Sequence, residues 1–261
     1  MDCLNEVTLD HGWTLLEYDQ VDSTNRMLVE LAKVGASEGT CLSTQHQTNG
    51  RGRLGRTWTD LPGSSILFSI LVRPSFSIEN YFAVPCALSV ALVETLVDLG
   101  LNARIKWPND LLIGSAKLAG MLSEIGDKPD DRFFVIGLGI NVNQSEDELI
   151  ELGRPATSIR ANLGYWVGHD KAHDILLKLI ARFQQFYLEL QASIESSMAL
   201  FLERYKSYCS TINQFVSVEL NDNEAVRGIA TDITGMGHLV VNTENGIRTF
   251  AAGEVYHLYG Y

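Results

Sequence analysis

The sequence predicts an α+β fold: a mixed β-sheet domain with helices, followed by a small β-barrel. Three observations predict it. Strand and helix signals alternate through the first hundred residues, and three strand-like segments then follow with no helix between them. From Phe215 onward the hydrophobic period changes to two.

The elements follow in order. Residues 14–18 read as a strand, after which Ser23, Thr24 and Asn25 supply cap residues for a helix with Met27, Leu28, Leu31 and Ala32 on one face, ended by Gly35. Residues 40–45 read as a second strand and 65–72 as an apolar third. Residues 78–99 repeat Ala, Leu and Val at helical spacing as far as Gly100. Strands are predicted at 104–107, 117–125 and 133–141, separated by turn-rich Pro108-Asn109-Asp110 and Lys128-Pro129-Asp130-Asp131. That grouping implies a mixed sheet and not a doubly wound one. Helices at 172–190, where Phe183, Phe186 and Tyr187 form a core face, and at 196–208 follow. Five short alternating segments (216–220, 226–233, 238–242, 247–250 and 255–258) are then broken by Asn221-Asp222-Asn223, Gly235-Met236-Gly237 and Glu244-Asn245-Gly246, the pattern of a small barrel. The domains expected are residues 1–210 and 211–261.

Composition limits the function. The chain has 261 residues, 46% of them hydrophobic, which is ample for a packed core. No run of 18 apolar residues and no basic, apolar leader stands at its start, so a cytoplasmic protein without a membrane span is expected. Cys3, Cys41, Cys86 and Cys209 are too scattered for a zinc cluster or a compact disulfide framework and read as reduced thiols. A net charge of -12 argues against a nucleic-acid-coating surface.

Against that acidity stands a local positive island, Gly50-Arg51-Gly52-Arg53-Leu54-Gly55-Arg56 closed by Trp58, in a stretch with no carboxylate from Gly39 to Thr59. Glycines let a backbone approach a bulky anion, and guanidiniums offer fixed forks of donors for phosphate and carboxylate oxygens. The formal GxGxxG match does not make a dinucleotide site, because Arg56-Thr57-Trp58-Thr59-Asp60-Leu61-Pro62-Gly63 is poor helix material where that motif needs a helix. No VAIK, HRD or DFG segment and no GxxxxGK[ST] loop is present.

Two further clusters bear on chemistry. In Lys106-Trp107-Pro108-Asn109-Asp110, proline stops a strand and Asn109 and Asp110 present oxygens of the kind Mg²⁺ prefers, although Asn-Asp after proline is more often a plain turn. Lys117 precedes the apolar run Leu118-Ala119-Gly120-Met121-Leu122, where an inward ammonium needs an anionic partner. The strand 133–141 carries Gly137 and Gly139 and ends in Asn141, and glycine inside a strand marks close approach by a ligand or another chain. His169 and His173 share a helix face at a spacing that suits a metal, but no HExxH is present and they read as an exposed helix start. Residues 127–132 and 145–153 read as solvated loops.

Taken together and in order, Ser23-Thr24-Asn25, Gln45, the 50–58 loop, KWPND at 106–110, KLAG at 117–120, GLGIN at 137–141 and a small barrel with Ala252-Gly253-Glu254-Val255 resemble the biotin protein ligase family over nearly the whole chain. The resemblance implies a class II synthetase-like biotin/lipoate ligase fold with an SH3-like C-terminal barrel. It implies an enzyme that adenylates biotin with ATP and passes the biotinyl group to a lysine of a biotin carboxyl carrier domain, as in acetyl-CoA carboxylase, with Mg²⁺ as metal. By the match, Lys117, Arg53 and Arg56 are catalytic. Ser23, Thr24, Gln45, Gly50, Arg51, Gly52, Arg53, Lys117 and Gly120 bind biotin, between apolar walls at 66–70 and 118–122. Arg53, Arg56, Trp58, Lys106, Asn109 and Asn141 bind ATP or the adenylate, Asn141 at the adenine, and Asp110 with Asn109 holds Mg²⁺.

Only 22 residues precede Ser23, so a ligase without the DNA-binding domain of some relatives is expected, with no nucleic-acid or membrane partner. The resemblance allows a homodimer. Two alternatives stay open: a lipoate or octanoate ligase on a related fold, and a non-catalytic biotin sensor.

Overall fold

The computed structural model describes residues 3–126, 132–151, 153–220 and 225–258. The turns expected at 128–131 and 221–223 lie outside them, as does the loop expected at 127–132 apart from exposed Arg132. In chain order the elements are β1 (Asn5–Thr8), β2 (Thr14–Val21), α1 (Thr24–Lys33), β3 (Thr40–Gln47), β4 (Ser65–Val72), α2 (Ala83–Val97), β5 (Ala103–Lys106), β6 (Asp110–Ile113), β7 (Ala116–Ile125) and β8 (Phe134–Asn141). They continue with α3 (Glu146–Ile150), α4 (Ile159–Leu163), α5 (His169–Ala192), α6 (Ile194–Tyr208), β9 (Phe215–Glu219), β10 (Ala225–Ile233), β11 (Leu239–Thr243), β12 (Gly246–Phe250) and β13 (Glu254–His257). They form two compact units, Met1–Ser75 with Ser115–Arg182, and Phe76–Gly114 with Phe183–Tyr261.

In the first unit the strands run β1-β2-β3-β4-β8-β7. Among the described residues of these strands only β2 and β3 pair in parallel, and a parallel pair needs a crossover, which α1 supplies. The other neighbours are antiparallel, giving the mixed sheet expected. Every residue of β4 and β8 is buried, with Phe68 opposite Leu138 and Ser69 opposite Gly137. The face of α1 read from the sequence is the face that packs: Leu28 and Ala32 join Leu42, Leu71 and Val135 in the core, with Met27 and Leu31 at its margin. Full burial of a residue such as Leu28 stabilises by roughly 1.5–3 kcal/mol.

In the second unit α2 packs on α6, where Glu94 accepts from the Arg204 guanidinium and Arg204 covers the Phe186 ring at 4.6 Å. Phe183, Phe186 and Tyr187 are buried as expected. Residues Ile78–Val97 are long and apolar enough, by length and composition, to cross a membrane, but most of that span is buried within the protein. The C-terminal strands form an antiparallel sheet in the order β12-β11-β10-β9-β13. It is the small antiparallel C-terminal domain expected, with β12 and β13 at its two ends and no pairing between them among the described residues.

Three expectations change. The loop at 145–153 contains α3, because Ser145 accepts from the Glu148 N–H while the Glu148 side chain accepts from the Ser145 N–H, a reciprocal cap on two otherwise orphaned donors. The helix expected from 78 opens with a 3-10 turn at Ile78–Asn80, and α2 begins at Ala83 with Pro85 in its first turn, where a missing N–H costs nothing. The turn at 108–110 runs directly into β6, which pairs antiparallel with β5, Lys106 opposite Asp110.

Candidate active site

The site of the first unit starts at the N-terminus of α1. Ser23, Thr24 and Asn25 are all buried, and burial of three polar side chains demands partners. Gln47 Oε1 accepts from the Thr24 N–H at 2.9 Å and from its hydroxyl at 3.2 Å. The Ser69 hydroxyl lies 2.8 Å from Thr24 Oγ1 and 2.6 Å from Asn25 Oδ1. The Asn25 amide donates to the Leu122 carbonyl and to Glu124 Oε2, both at 3.0 Å, and Glu124 Oε1 accepts from Arg51 Nη1 at 2.9 Å. One polar chain therefore links the helix cap to the arginine loop.

That loop is a small hairpin. Arg51 bridges Thr57, the Gly52 N–H donates to the Arg56 carbonyl at 2.7 Å and the Trp58 N–H to the Gly50 carbonyl at 3.0 Å. At its tip, Leu54 and Gly55 take positive φ values of 55° and 73°, a conformation glycine adopts freely and leucine does not. Arg53 and Arg56 flank this tip and Leu54 is exposed. Gly50 packs against the Trp58 backbone so closely that a Cβ there would come within 2.4 Å of its carbonyl oxygen. No helix follows the loop, as the rejection of the dinucleotide motif requires.

The two glycines of β8 make room for this chain's own side chains. A Cβ on Gly137 would stand 1.9 Å from Asn25 Oδ1, and one on Gly139 would stand 2.5 Å from the Trp58 ring. Trp58 thus lies against the sheet, with Lys117 Nζ 5.9 Å from the centre of its ring. Its indole nitrogen is buried with no hydrogen-bond partner among the described residues. Gly120 sits opposite Gly139 on β7. Lys117 is the second residue of that strand, its N–H donating to the Pro155 carbonyl and its own carbonyl accepting from the Thr157 N–H. The Asn141 amide donates to the Thr157 carbonyl at 3.0 Å, so in this structure it ties the end of β8 to that same segment.

Gln45 stands apart. Its amide nitrogen is 3.2 Å from His169 Nε2, and it lines a cavity of about 130 Å³ with Glu17, Ser65, His169 and His173. The glutamine beside Thr24 and Gly50 is Gln47, which the sequence reading passed over. His173 pairs with Glu17 at 3.1 Å, and no cluster of three metal-ligating side chains occurs among the described residues. Asn25, Ser69 and Glu124 were also not foreseen as site residues. Their signal is register, which sets Ser69 opposite Gly137 and is invisible in a single sequence.

The 106–110 segment belongs to the second unit. Lys106 and Asp110 face each other across the β5–β6 hairpin, Asn109 and Asp110 are half-buried, and the Trp107–Pro108 peptide is cis. The Trp107 N–H donates to Thr211 Oγ1 at 3.0 Å and its indole N–H to the Gly237 carbonyl at 2.8 Å. Lys106 Nζ lies 5.8 Å from the centre of the Tyr256 ring. Burial first, and then the Lys106 charge, pushes the pKa of His257 down to about 4, so it is neutral at pH 7.

The Biotin/lipoate A/B protein ligase family model matches residues 17–141, and the Biotin protein ligase C terminal domain model matches residues 211–258. The chain is 31% identical over 254 residues to the biotin--[acetyl-CoA-carboxylase] ligase of Mycobacterium tuberculosis, covering 95% of this chain and 90% of that protein. It is 30% identical over 247 residues to the bifunctional ligase/repressor BirA of Bacillus subtilis, covering 94% of this chain and 74% of that protein. Its fold is similar to the biotin protein ligase from Aquifex aeolicus in complex with biotin and ATP, with a TM-score of 0.76, 29% identity, and coverage of 93% of this chain and 97% of that one. The chain belongs to the biotin protein ligase family.

Proposed function

We propose that this chain joins biotin to ATP, releasing pyrophosphate, and transfers the biotinyl group from the adenylate to a lysine of the carrier domain of acetyl-CoA carboxylase or another biotin enzyme. The observation that carries the reading is the continuous polar chain from Gln47 through Thr24, Ser69, Asn25 and Glu124 to Arg51, which sets a ring-binding cap beside an anion-binding loop. In the first step a biotin carboxylate oxygen attacks the α-phosphorus and the bond to the β-phosphate breaks. Two anions must be held together, which costs repulsion unless fixed cations offset it. Arg53 and Arg56 grip phosphate and carboxylate, and Lys117 bridges the two. Ser23 and Thr24, with Gln47 taking the place expected for Gln45, meet the ureido ring, helped by main-chain groups of residues 50–52 and by Gly120. Trp58, whose buried indole N–H has no partner among the described residues, closes over the ligand. In the second step the carrier amine attacks the acyl carbon and AMP leaves.

Asp110 and Asn109 would offer Mg²⁺ one carboxylate and one amide oxygen, the ligand type it prefers, with water and nucleotide phosphates completing its shell. Bound there, the ion neutralises phosphate charge. Lys106, Asn109 and Asn141 serve the nucleotide. The division into residues 1–210 for catalysis and 211–261 as a C-terminal domain, a cytoplasmic location, a homodimer and the lack of a nucleic-acid partner belong to the same proposal, the last supported by the net charge of -12.

Intact mass measurement of a biotin carrier domain after incubation with the chain and Mg-ATP tests the reading. One biotinyl addition is expected with biotin and none with lipoate; lipoylation, or tight biotin binding without transfer, would replace it with one of the alternatives. Two results are expected at the loop. Amide exchange of residues 52, 56 and 58 slows when biotin and ATP are both added, because the loop closes over the adenylate; unchanged exchange rules out a lid. Arg53→Gly loosens the grip on the adenylate and increases labelling of bystander lysines in a protein mixture, and unchanged specificity would show that Arg53 does not retain it.

A further inference from the structure

Asp60 lies two residues beyond Trp58, at the base of the loop, and its side chain is wholly inaccessible. A buried carboxylate is costly and persists where something holds it. Its Oδ2 accepts from His46 Nδ1 at 2.9 Å and from the Gln47 N–H at 3.4 Å, while Oδ1 is buried with no partner among the described residues. Burial raises its pKa, with the His46 hydrogen bond opposing. On the other side of Gln47, the Thr48 N–H donates to the Val21 carbonyl at 3.0 Å and the Asn49 N–H to the Asp22 carbonyl at 2.9 Å. Gln47 is therefore pinned along its main chain while its side chain holds Thr24.

We propose that Asp60 and His46 form a clamp at the base of the arginine loop that sets the orientation of Gln47, making Asp60 a positioning residue for biotin. This rests on the ligase reading above. A clamp of this kind acts first on biotin, because the Asp60 contacts converge on His46 and Gln47, and Gln47 meets biotin beside Thr24. The test is steady-state pyrophosphate release by the full chain, with biotin and ATP varied separately. Asp60→Ala is expected to raise KM for biotin about tenfold, the scale of one lost hydrogen bond to a charged group, with kcat and KM for ATP changed by less than about twofold. His46→Ala should do the same, and His46→Asn, which keeps a donor near the Nδ1 position, should restore most of the biotin KM. An unchanged biotin KM in both alanine variants overturns the clamp. So does a parallel loss in kcat and both KM values, or unfolding of both variants, since either assigns the pair to stability alone. A wild-type chain that binds biotin but releases no pyrophosphate fails the ligase reading instead, and biotin calorimetry on the same variants then still decides the clamp.

Discussion

Lys117→Ala is expected to lower the rate of biotin adenylation by about 10²–10³-fold, the range found when one fixed group that stabilises developing charge is removed. The fold should survive the change. The backbone of residue 117 is held independently of its side chain, through the Pro155 carbonyl on one side and Thr157 on the other, and its ammonium lies over Trp58 and not inside the core. Stability is therefore expected to move by no more than about 0.5 kcal/mol. Lys117→Arg should not restore the rate, because a planar fork cannot replace a point charge between two different anions. Single-turnover formation of biotinyl-adenylate measures this. A loss below tenfold would remove Lys117 from the reaction centre.

Gly137→Ala is expected to destabilise the chain by about 2–4 kcal/mol, combining overpacking with the loss of a buried hydrogen bond. The new methyl group would sit 1.9 Å from Asn25 Oδ1 and 3.1 Å from Ser69 Oγ. Asn25 cannot swing aside without cost, since Ser69, the Leu122 carbonyl and Glu124 hold it from three directions. Thermal unfolding should drop by on the order of 10 °C, and biotin affinity should fall with it because Thr24 shares Ser69 with Asn25. Adding Asn25→Ala should recover part of the stability, a coupling that independent sites do not show. A neutral Gly137→Ala would mean that the Asn25 network does not constrain the sheet.

Much of this fold was legible because period and punctuation agree locally. The strand at 65–72, the core face of α1 and the alternation after Phe215 all follow from spacing alone. The helix at 146–150 was legible too, in the Ser145 and Glu148 pair, but four acidic residues close together suggested a solvated loop. The pairing order of the C-terminal strands could not be read, because alternation gives each strand a buried face without naming its neighbours. Within the site, the loop, Lys117 and the β8 glycines stood out as residue types in unusual company. Gln45 and Gln47 cannot be told apart in the sequence, because both are glutamines on one short strand and only the contact with Thr24 separates them. Ser69, Glu124 and Asp60 were silent for a related reason: each is ordinary until pairing sets it against a partner far away in sequence.

The reading of the β8 glycines also shifts. The sequence suggested that a ligand or another chain approaches there, and in this structure the approaching groups are Asn25 and Trp58 of the chain itself. Trp58 covering Gly139, and its buried indole N–H with no partner among the described residues, suit a side chain that moves when ligand arrives.

The most direct measurement is pyrophosphate release in a single turnover, with the full chain in excess over biotin and no carrier present. The ligase account predicts one pyrophosphate per biotin, dependent on both biotin and ATP, and retained biotinyl-adenylate on the protein. Pyrophosphate released without biotin, or biotin bound with none released, would contradict it.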